Sequence, residues 1–197
     1  MISSYEFIEN INCDTTVLDF ENDMKKNPSY GFSDISPNGF IALGNAAVQG
    51  NIEVVKYILS KAIDSSKLVN QQFSDYGWTP LFCAAMCNSH QKALNIAIEL
   101  IKLGAKVNTQ TTKDCDDEYP AGITPVWAAA KNDNRLMVSL LFNRRASEMI
   151  TVQHSDEQRK SITEGRHISD LLSFWTCSKA PLPKDVLKII LTFMLNC

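Results

Sequence analysis

The sequence holds only three histidines, at positions 90, 154 and 167, and they are scattered. His154 and His167 have no cysteine or acid around them at zinc-ligand spacing, so no local motif for a metal exists there. His90 follows Asn88-Ser89 at a helix–helix link, where a structural role suffices. Gly-rich phosphate loops and Gly-x-Ser-x-Gly turns are missing, which removes the usual signatures of nucleotide binding and of serine hydrolysis. Cys-x-x-Cys pairs are missing as well. The six cysteines (13, 83, 87, 115, 177 and 197) form no even framework and are expected to be free thiols of a reducing compartment. Cys177 beside His167 suggests a nucleophile and base in name only, since nothing local supports the pairing.

Basic charge is not in excess. The formal net charge of −3 argues against a general nucleic-acid binder. No stretch reaches the eighteen apolar residues of a membrane span, and the longest cluster, Val186 to Leu195, is interrupted by Lys188 and Thr192. The first residues carry early acids and no apolar run, unlike a secretory signal. These absences together predict a soluble cytoplasmic protein with no metal, no cofactor, and neither nucleic acid nor membrane as partner.

What the chain does contain is a copy of itself. Gly77-Trp78-Thr79-Pro80-Leu81-Phe82-Cys83-Ala84-Ala85 returns 45 residues later as Gly122-Ile123-Thr124-Pro125-Val126-Trp127-Ala128-Ala129-Ala130. Pro sits in the first turn of a helix, where its missing N–H does no harm. Thr just before it is placed to cap orphan donors. A weaker copy, Gly39-Phe40-Ile41-Ala42-Leu43-Gly44-Asn45-Ala46-Ala47, precedes both. Repeats at this spacing predict stacked helix pairs, each lending its neighbour the apolar face it cannot bury alone.

At these residues the pattern resembles ankyrin repeats. The middle copy carries Asp75-x-Gly77-x-Thr79-Pro80-Leu81, Ala84-Ala85, Ile98-x-Leu100-Ile101 and Gly104-Ala105-x-Val107-Asn108, and the first adds Gly50-Asn51-Ile52-Glu53-Val54-Val55. The resemblance covers residues 36–147 and implies an all-α ankyrin-repeat solenoid with helical N- and C-terminal caps. Three departures stand out. The His that usually follows Thr-Pro-Leu is replaced by Gly44, Phe82 and Trp127. Repeat one has Ile41-Ala42 for Thr-Pro. The turn glycines lie 38 and 45 residues apart, against a usual period of about 33.

Helix pairs are predicted at 40–49 and 52–63, 79–87 and 91–103, and 124–131 and 134–143, with polar projecting loops over 64–76 and 106–121. Residues 1–35 read as an N-terminal helical cap with Val17, Leu18, Phe20 and Met24 on one apolar face, stopping near Asn27-Pro28. Residues 148–197 read as a degenerate repeat or helical cap. The tail, Leu182-Pro183-x-x-Val186-Leu187-x-x-Ile190-Leu191, puts apolar residues on one helical face. It resembles the opening helix of an F-box and the C-terminal box of poxviral ankyrin proteins, and more faintly the end of a SOCS box. The helix either caps the array or docks a ligase.

The resemblance implies a concave surface made of loop tips and the outward positions of the first helices. Matched residue by residue, these are Asn45, Val48 and Gln49, then Trp78, Cys83, Met86, Cys87 and Asn88, then Ile123, Ala128, Lys131 and Asn132. The partner-binding set takes Trp78, Met86, Cys87, Ile123 and Lys131 from them and adds Tyr76, although Trp78 has an equal claim to pack on the neighbouring loop. Asp116, Asp117 and Glu118 form either a solvated loop or an acidic tip that meets a basic partner. The function so implied is non-catalytic protein binding inside cells, including as a pathogen effector acting on a host protein in host cytoplasm. The alternatives are a substrate adaptor that reaches Skp1–cullin ubiquitin-ligase subunits through Leu182, Pro183, Val186, Leu187, Ile190 and Leu191, and a cryptic enzyme.

Overall fold

Thr79 and Pro80 start a helix as their chemistry requires: Pro80 occupies the first turn and the Thr79 hydroxyl accepts a hydrogen bond from the Phe82 amide at 3.2 Å. The computed structural model describes residues 6–115, 119–144, 160 and 163–165. The tail from Leu182 to Leu191, the acids Asp116, Asp117 and Glu118, and nearly all of residues 148–197 lie outside the described residues.

Helix α1 (Glu6–Glu9) and α2 (Val17–Lys26) precede three further pairs: α3 (Ala42–Val48) with α4 (Ile52–Lys61), α6 (Pro80–Met86) with α7 (His90–Lys102), and α8 (Pro125–Lys131) with α9 (Arg135–Asn143). A single turn, α5 (Ser65–Leu68), begins the link after α4, where only a polar loop was expected. First helices stack on first helices and second on second, with α1 on α3, α3 on α6, α6 on α8, and α2 on α4, α4 on α7, α7 on α9. Among the described residues no β-strand forms, and Phe73 and Trp78 make an isolated antiparallel bridge.

Two local expectations need correction. Thr124 occupies the position of Thr79 yet makes no side-chain cap bond. Leu18 is 62 % exposed, while Phe20 is buried. Residues 17, 20 and 24 share one face of a 3.6-residue helix, and residue 18 falls a quarter-turn off it. The α1–α2 segment covers the first repeat, with α1 against α3 and α2 against α4.

One continuous core runs through the stack, from Ile8 and Phe20 through Leu43, Val55 and Ile58 to Leu81, Ile96 and Leu100, then Val138 and Leu141. The alanines Ala46, Ala47, Ala84, Ala85, Ala129 and Ala130 are buried where first helices meet, and their small side chains let those helices approach closely. Asparagines lock neighbouring units together. Asn51 caps α4 through the Val54 amide and donates from Nδ2 to the Asn12 and Thr15 carbonyls, both at 2.8 Å. Asn134 caps α9 and donates to the His90 carbonyl at 3.4 Å. Asn45 donates to the Ile8 and Ile11 carbonyls, and Asn132 to that of Ala85. These bonds satisfy carbonyls at helix ends, groups that are costly to bury unpaired.

At the far end the described residues close with an ion pair. Arg135 Nε lies 2.7 Å from Glu164 and 3.1 Å from Asp133. Gly165 sits against Val138 so closely that any side chain there would collide with it.

Candidate functional site

The candidate site is the row of hairpins that joins one helix pair to the next. Hairpin one closes with the Ser36 amide donating to the Phe40 carbonyl at 2.8 Å. Hairpin two closes with Phe73 and Trp78 exchanging amide–carbonyl bonds of 2.9 and 3.0 Å. Hairpin three closes through Thr111, whose amide donates to Ile123 and whose hydroxyl accepts from the Ile123 amide. Each turns at a glycine with positive φ, Gly39 (84°), Gly77 (70°) and Gly122 (79°), the conformation that explains why glycine heads every copy of the motif. The hairpins are bonded to one another: Gln71 Nε2 to the Ser33 carbonyl at 2.7 Å, and the Thr112 amide to the Tyr76 carbonyl at 2.7 Å.

Aromatic rings fill the places left by the missing histidines. Phe82 lies face to face with Trp78 at 6.0 Å between centroids; Tyr76 and Phe40 approach the same indole at 5.3 and 5.7 Å. Phe73 is buried and packs on Phe40 at 5.9 Å. Its ring tip occupies the space a Cβ on residue 44 would need, so repeat one has glycine where a side chain would be expected because the following loop supplies the side chain instead. In repeat three, Trp127 meets Tyr119 at 5.8 Å, and the Lys131 ammonium lies 4.0 Å from the Tyr119 ring centroid and 5.6 Å from that of Trp127.

Tyr76, Trp78 and Met86 are half-buried: Trp78 and Met86 pack on the core and still reach solvent, and Tyr76 lies against the Trp78 ring. Lys131 is also half-buried, over its two rings. Two residues of the set are not available to a partner. Ile123 is 2 % exposed, and Thr111 holds its backbone at the base of the hairpin. Cys87 is 3 % exposed because it ends α6 in an extended conformation that turns its Sγ toward the Ser89 carbonyl and the backbone of Gly50.

The wider concave list divides the same way. Gln49 and Asn88 are exposed and Val48 is half-buried. Asn45, Cys83 and Ala128 are buried, and Asn132 is tied to repeat two through Ala85 and His90. His90 Nε2 donates to the Asn132 carbonyl at 3.0 Å, which makes its role structural.

The two cysteines of repeat two are not poised as nucleophiles. Burial pushes Cys83 far above the ordinary thiol range, and burial likewise raises Cys87 against the smaller opposing effects of the Ser89 backbone and Lys92. Among the described residues no three His, Cys, Asp or Glu side chains gather as a metal-holding group.

Phe40, Phe73, Phe82 and Tyr119 line the candidate site and are absent from the set expected from the sequence. Phe40 was within reach, since it occupies the position of Trp78 in the aligned copies. Phe73 carried no such signal, because its partner is the absence of a side chain at Gly44.

A family model described as ankyrin repeats, in three copies, matches residues 16–111. The fold is an all-α ankyrin-repeat solenoid. The match begins inside the α1–α2 unit and ends at hairpin three, so it takes in α2 as repeat material and stops short of α8–α9. Comparison with curated proteins gives no match. Ankyrin repeats are a protein–protein interaction module, generally without catalysis.

Proposed function

We propose that this chain is a non-catalytic protein-binding module that receives a partner segment along hairpins one and two, centred on Tyr76 and Trp78, with Met86 at its edge. The observation that carries this reading is the half-buried cluster Phe40–Trp78–Tyr76. Aromatic side chains fixed by their neighbours lose little entropy when a partner covers them, and such residues contribute most of the energy at interface centres. The acids flanking the hairpins, Asp75 and Asp114 together with Asp116, Asp117 and Glu118, favour a partner with a basic contact surface. The proposed place of action is the cytoplasm, or host cytoplasm if the chain is a pathogen's effector. No catalytic step is part of this reading.

Trp78→Ala combined with Met86→Ala is expected to weaken capture of the main protein recovered from cell lysate by tenfold or more, in keeping with the ~2 kcal/mol typical of a buried aromatic anchor. Lys92→Ala and Glu99→Ala, on the outer helix α7, should leave capture unchanged. Because Trp78 also packs on Phe82, the melting point of each variant is measured alongside. Equal losses from both pairs would remove the hairpin face as the binding surface.

The second reading, a ubiquitin-ligase adaptor, rests on the Leu182–Leu191 pattern alone. Recovery of Skp1–cullin subunits by the full chain, and their loss from a version ending at Ser178, is the expected result if the tail docks a ligase. Recovery of the same partner by both versions, with no ligase subunit from either, would leave the plain binding module.

A further inference from the structure

The tips of hairpins one and two leave a cleft of about 400 Å³ between them, lined by Ile35, Pro37, Ser74, Asp75 and Tyr76 among others. Within this lining the two hairpins touch, since a Cβ on Gly39 would lie 3.1 Å from the Ser74 Cα. Both residues take positive φ, 84° at Gly39 and 60° at Ser74, so two tight turns meet there. Each turn is held by its own bonds: the Gly39 amide donates to the Ser36 carbonyl at 2.8 Å, and the Ser74 hydroxyl accepts from the Tyr76 amide at 3.2 Å. The cleft is therefore formed before any partner arrives. Its walls are in part apolar: Ile35 is exposed, and Tyr76 is half-buried against the Trp78 ring.

The charged side chains on this face have one sign. Residues 1–24, 27–55 and 68–91 contain no lysine or arginine. Those spans include α1, α3, α6 and hairpins one and two, whereas Lys26, Lys56, Lys61, Lys92 and Lys102 lie on the second helices α2, α4 and α7, and Lys67 on α5. Carboxylates remain at the tips. Asp75 lines the cleft and is exposed, and its carboxylate makes no hydrogen bond or ion pair among the described residues. Glu9 accepts from the Asn38 amide at 3.2 Å, and Asp34, next to Ile35, accepts from the Gly31 amide at 2.9 Å. Lys106 and Lys113 belong to the link into hairpin three, which bonds to hairpin two through Thr112, and neither pairs with Asp75.

We infer that the cleft between hairpins one and two is the pocket for one arginine or lysine side chain of the partner segment. The inference rests on the hairpin face being the binding surface, and it adds which residue that segment must carry. The alkyl stem lies along Ile35 and Tyr76 while the charged head meets the Asp75 carboxylate, the arrangement that lets a long basic side chain bury its stem and keep its charge at the rim. Arginine is the better occupant, because a planar guanidinium stacks on a tyrosine ring and bonds a carboxylate at once. The residue beside it in the segment falls on Trp78, so the recognised unit is a basic residue next to an apolar one. Asp75, Glu9 and Asp34 repel an acidic segment, and neither hairpin holds a lysine or arginine to offset them.

The test is a selection from a displayed library of random dodecapeptides on the intact chain, followed by fluorescence anisotropy of the enriched peptides. The expected enrichment is Arg or Lys next to an aromatic or aliphatic residue. Binding should fall about tenfold in Asp75→Asn, as the loss of a charge-assisted bond predicts, and should weaken with added salt. Glu53→Gln removes the same charge from the outer helix α4 and should leave binding unchanged. The Asp75 carboxylate is exposed and bonds to no described group, so Asp75→Asn should melt as the parent does. In Asp75→Lys the preference should invert, with peptides whose basic residue is replaced by glutamate binding better than the originals. Enriched peptides that lose binding in Trp78→Ala but are acidic or uncharged, or that bind Asp75→Asn as they bind the parent, would overturn the pocket and leave the hairpin face standing. Peptides indifferent to both variants, or no enrichment, would overturn both. A concentration-dependent dimer of the parent chain that Asp75→Asn dissociates would assign the cleft to a second copy and overturn the partner pocket.

Discussion

Ala85→Glu is expected to abolish cooperative melting of repeats two and three at pH 7. Ala85 is fully buried on α6, the helix that packs against α3, α7 and α8 at once, and its carbonyl accepts the Asn132 bond that ties repeat two to repeat three. A glutamate there meets two penalties. The added volume costs about 1–3 kcal/mol in a packed core, and an unpaired buried carboxylate costs several kcal/mol more or is driven to protonate. Against a typical domain stability of about 5–15 kcal/mol, the sum removes most of the margin.

The two penalties separate by pH. Burial would raise the new carboxyl's pKa in the folded state above its unfolded value. The charge penalty is then absent below the unfolded pKa, grows as pH rises, and is complete above the folded pKa. Ala85→Glu should therefore be least destabilised in acid relative to the parent, while Ala85→Gln should show the steric loss without that pH dependence. Thermal melts across pH measure both. A melting curve like the parent's would mean that residue 85 does not lie between packed helices.

The second large effect concerns a side chain borrowed from a loop. Phe73→Ala is expected to cost about 3–5 kcal/mol, the range for removing a buried phenyl ring. Gly44→Ala in the parent should also destabilise, by roughly 1–3 kcal/mol, because the new methyl group would overlap the Phe73 ring. In the Phe73→Ala background the sign should reverse. The methyl group then enters vacated space, and alanine is the better helix former by about 0.5–1 kcal/mol. Denaturant melts of the two single variants and the double variant form the cycle that measures this coupling. Additive losses would show that the ring and the glycine do not share one space.

Much of the fold was legible because its signals are local. The Thr-Pro starts place α6 and α8 within a residue or two, and the α3 start follows from its alignment with them even without Thr-Pro. Apolar periodicity gives α4, α7 and α9, since a helix must turn its apolar residues to one side wherever it packs. The site was legible in part. The half-buried positions of Tyr76, Trp78 and Met86 agree with their places in the motif. Ile123 and Cys87 occupy comparable places and are nevertheless buried, because exposure depends on how each chain segment turns beside its helix.

The sequence by itself determined that this protein is a stack of helix pairs, where the helices start, and that glycine must turn each hairpin. Those follow from backbone sterics and short-range hydrogen bonding, which a few neighbouring residues specify. Only the tertiary structure decided that Phe73 fills the space over Gly44, that Asn45, Asn51, Asn132 and Asn134 bond one unit to the next, and that a cleft opens between hairpins one and two. Each of these joins residues 29 to 47 positions apart or compares two surfaces from different units. Their meeting is set by the insertions between the turn glycines and by the translation from one repeat to the next, which no local pattern of residues encodes.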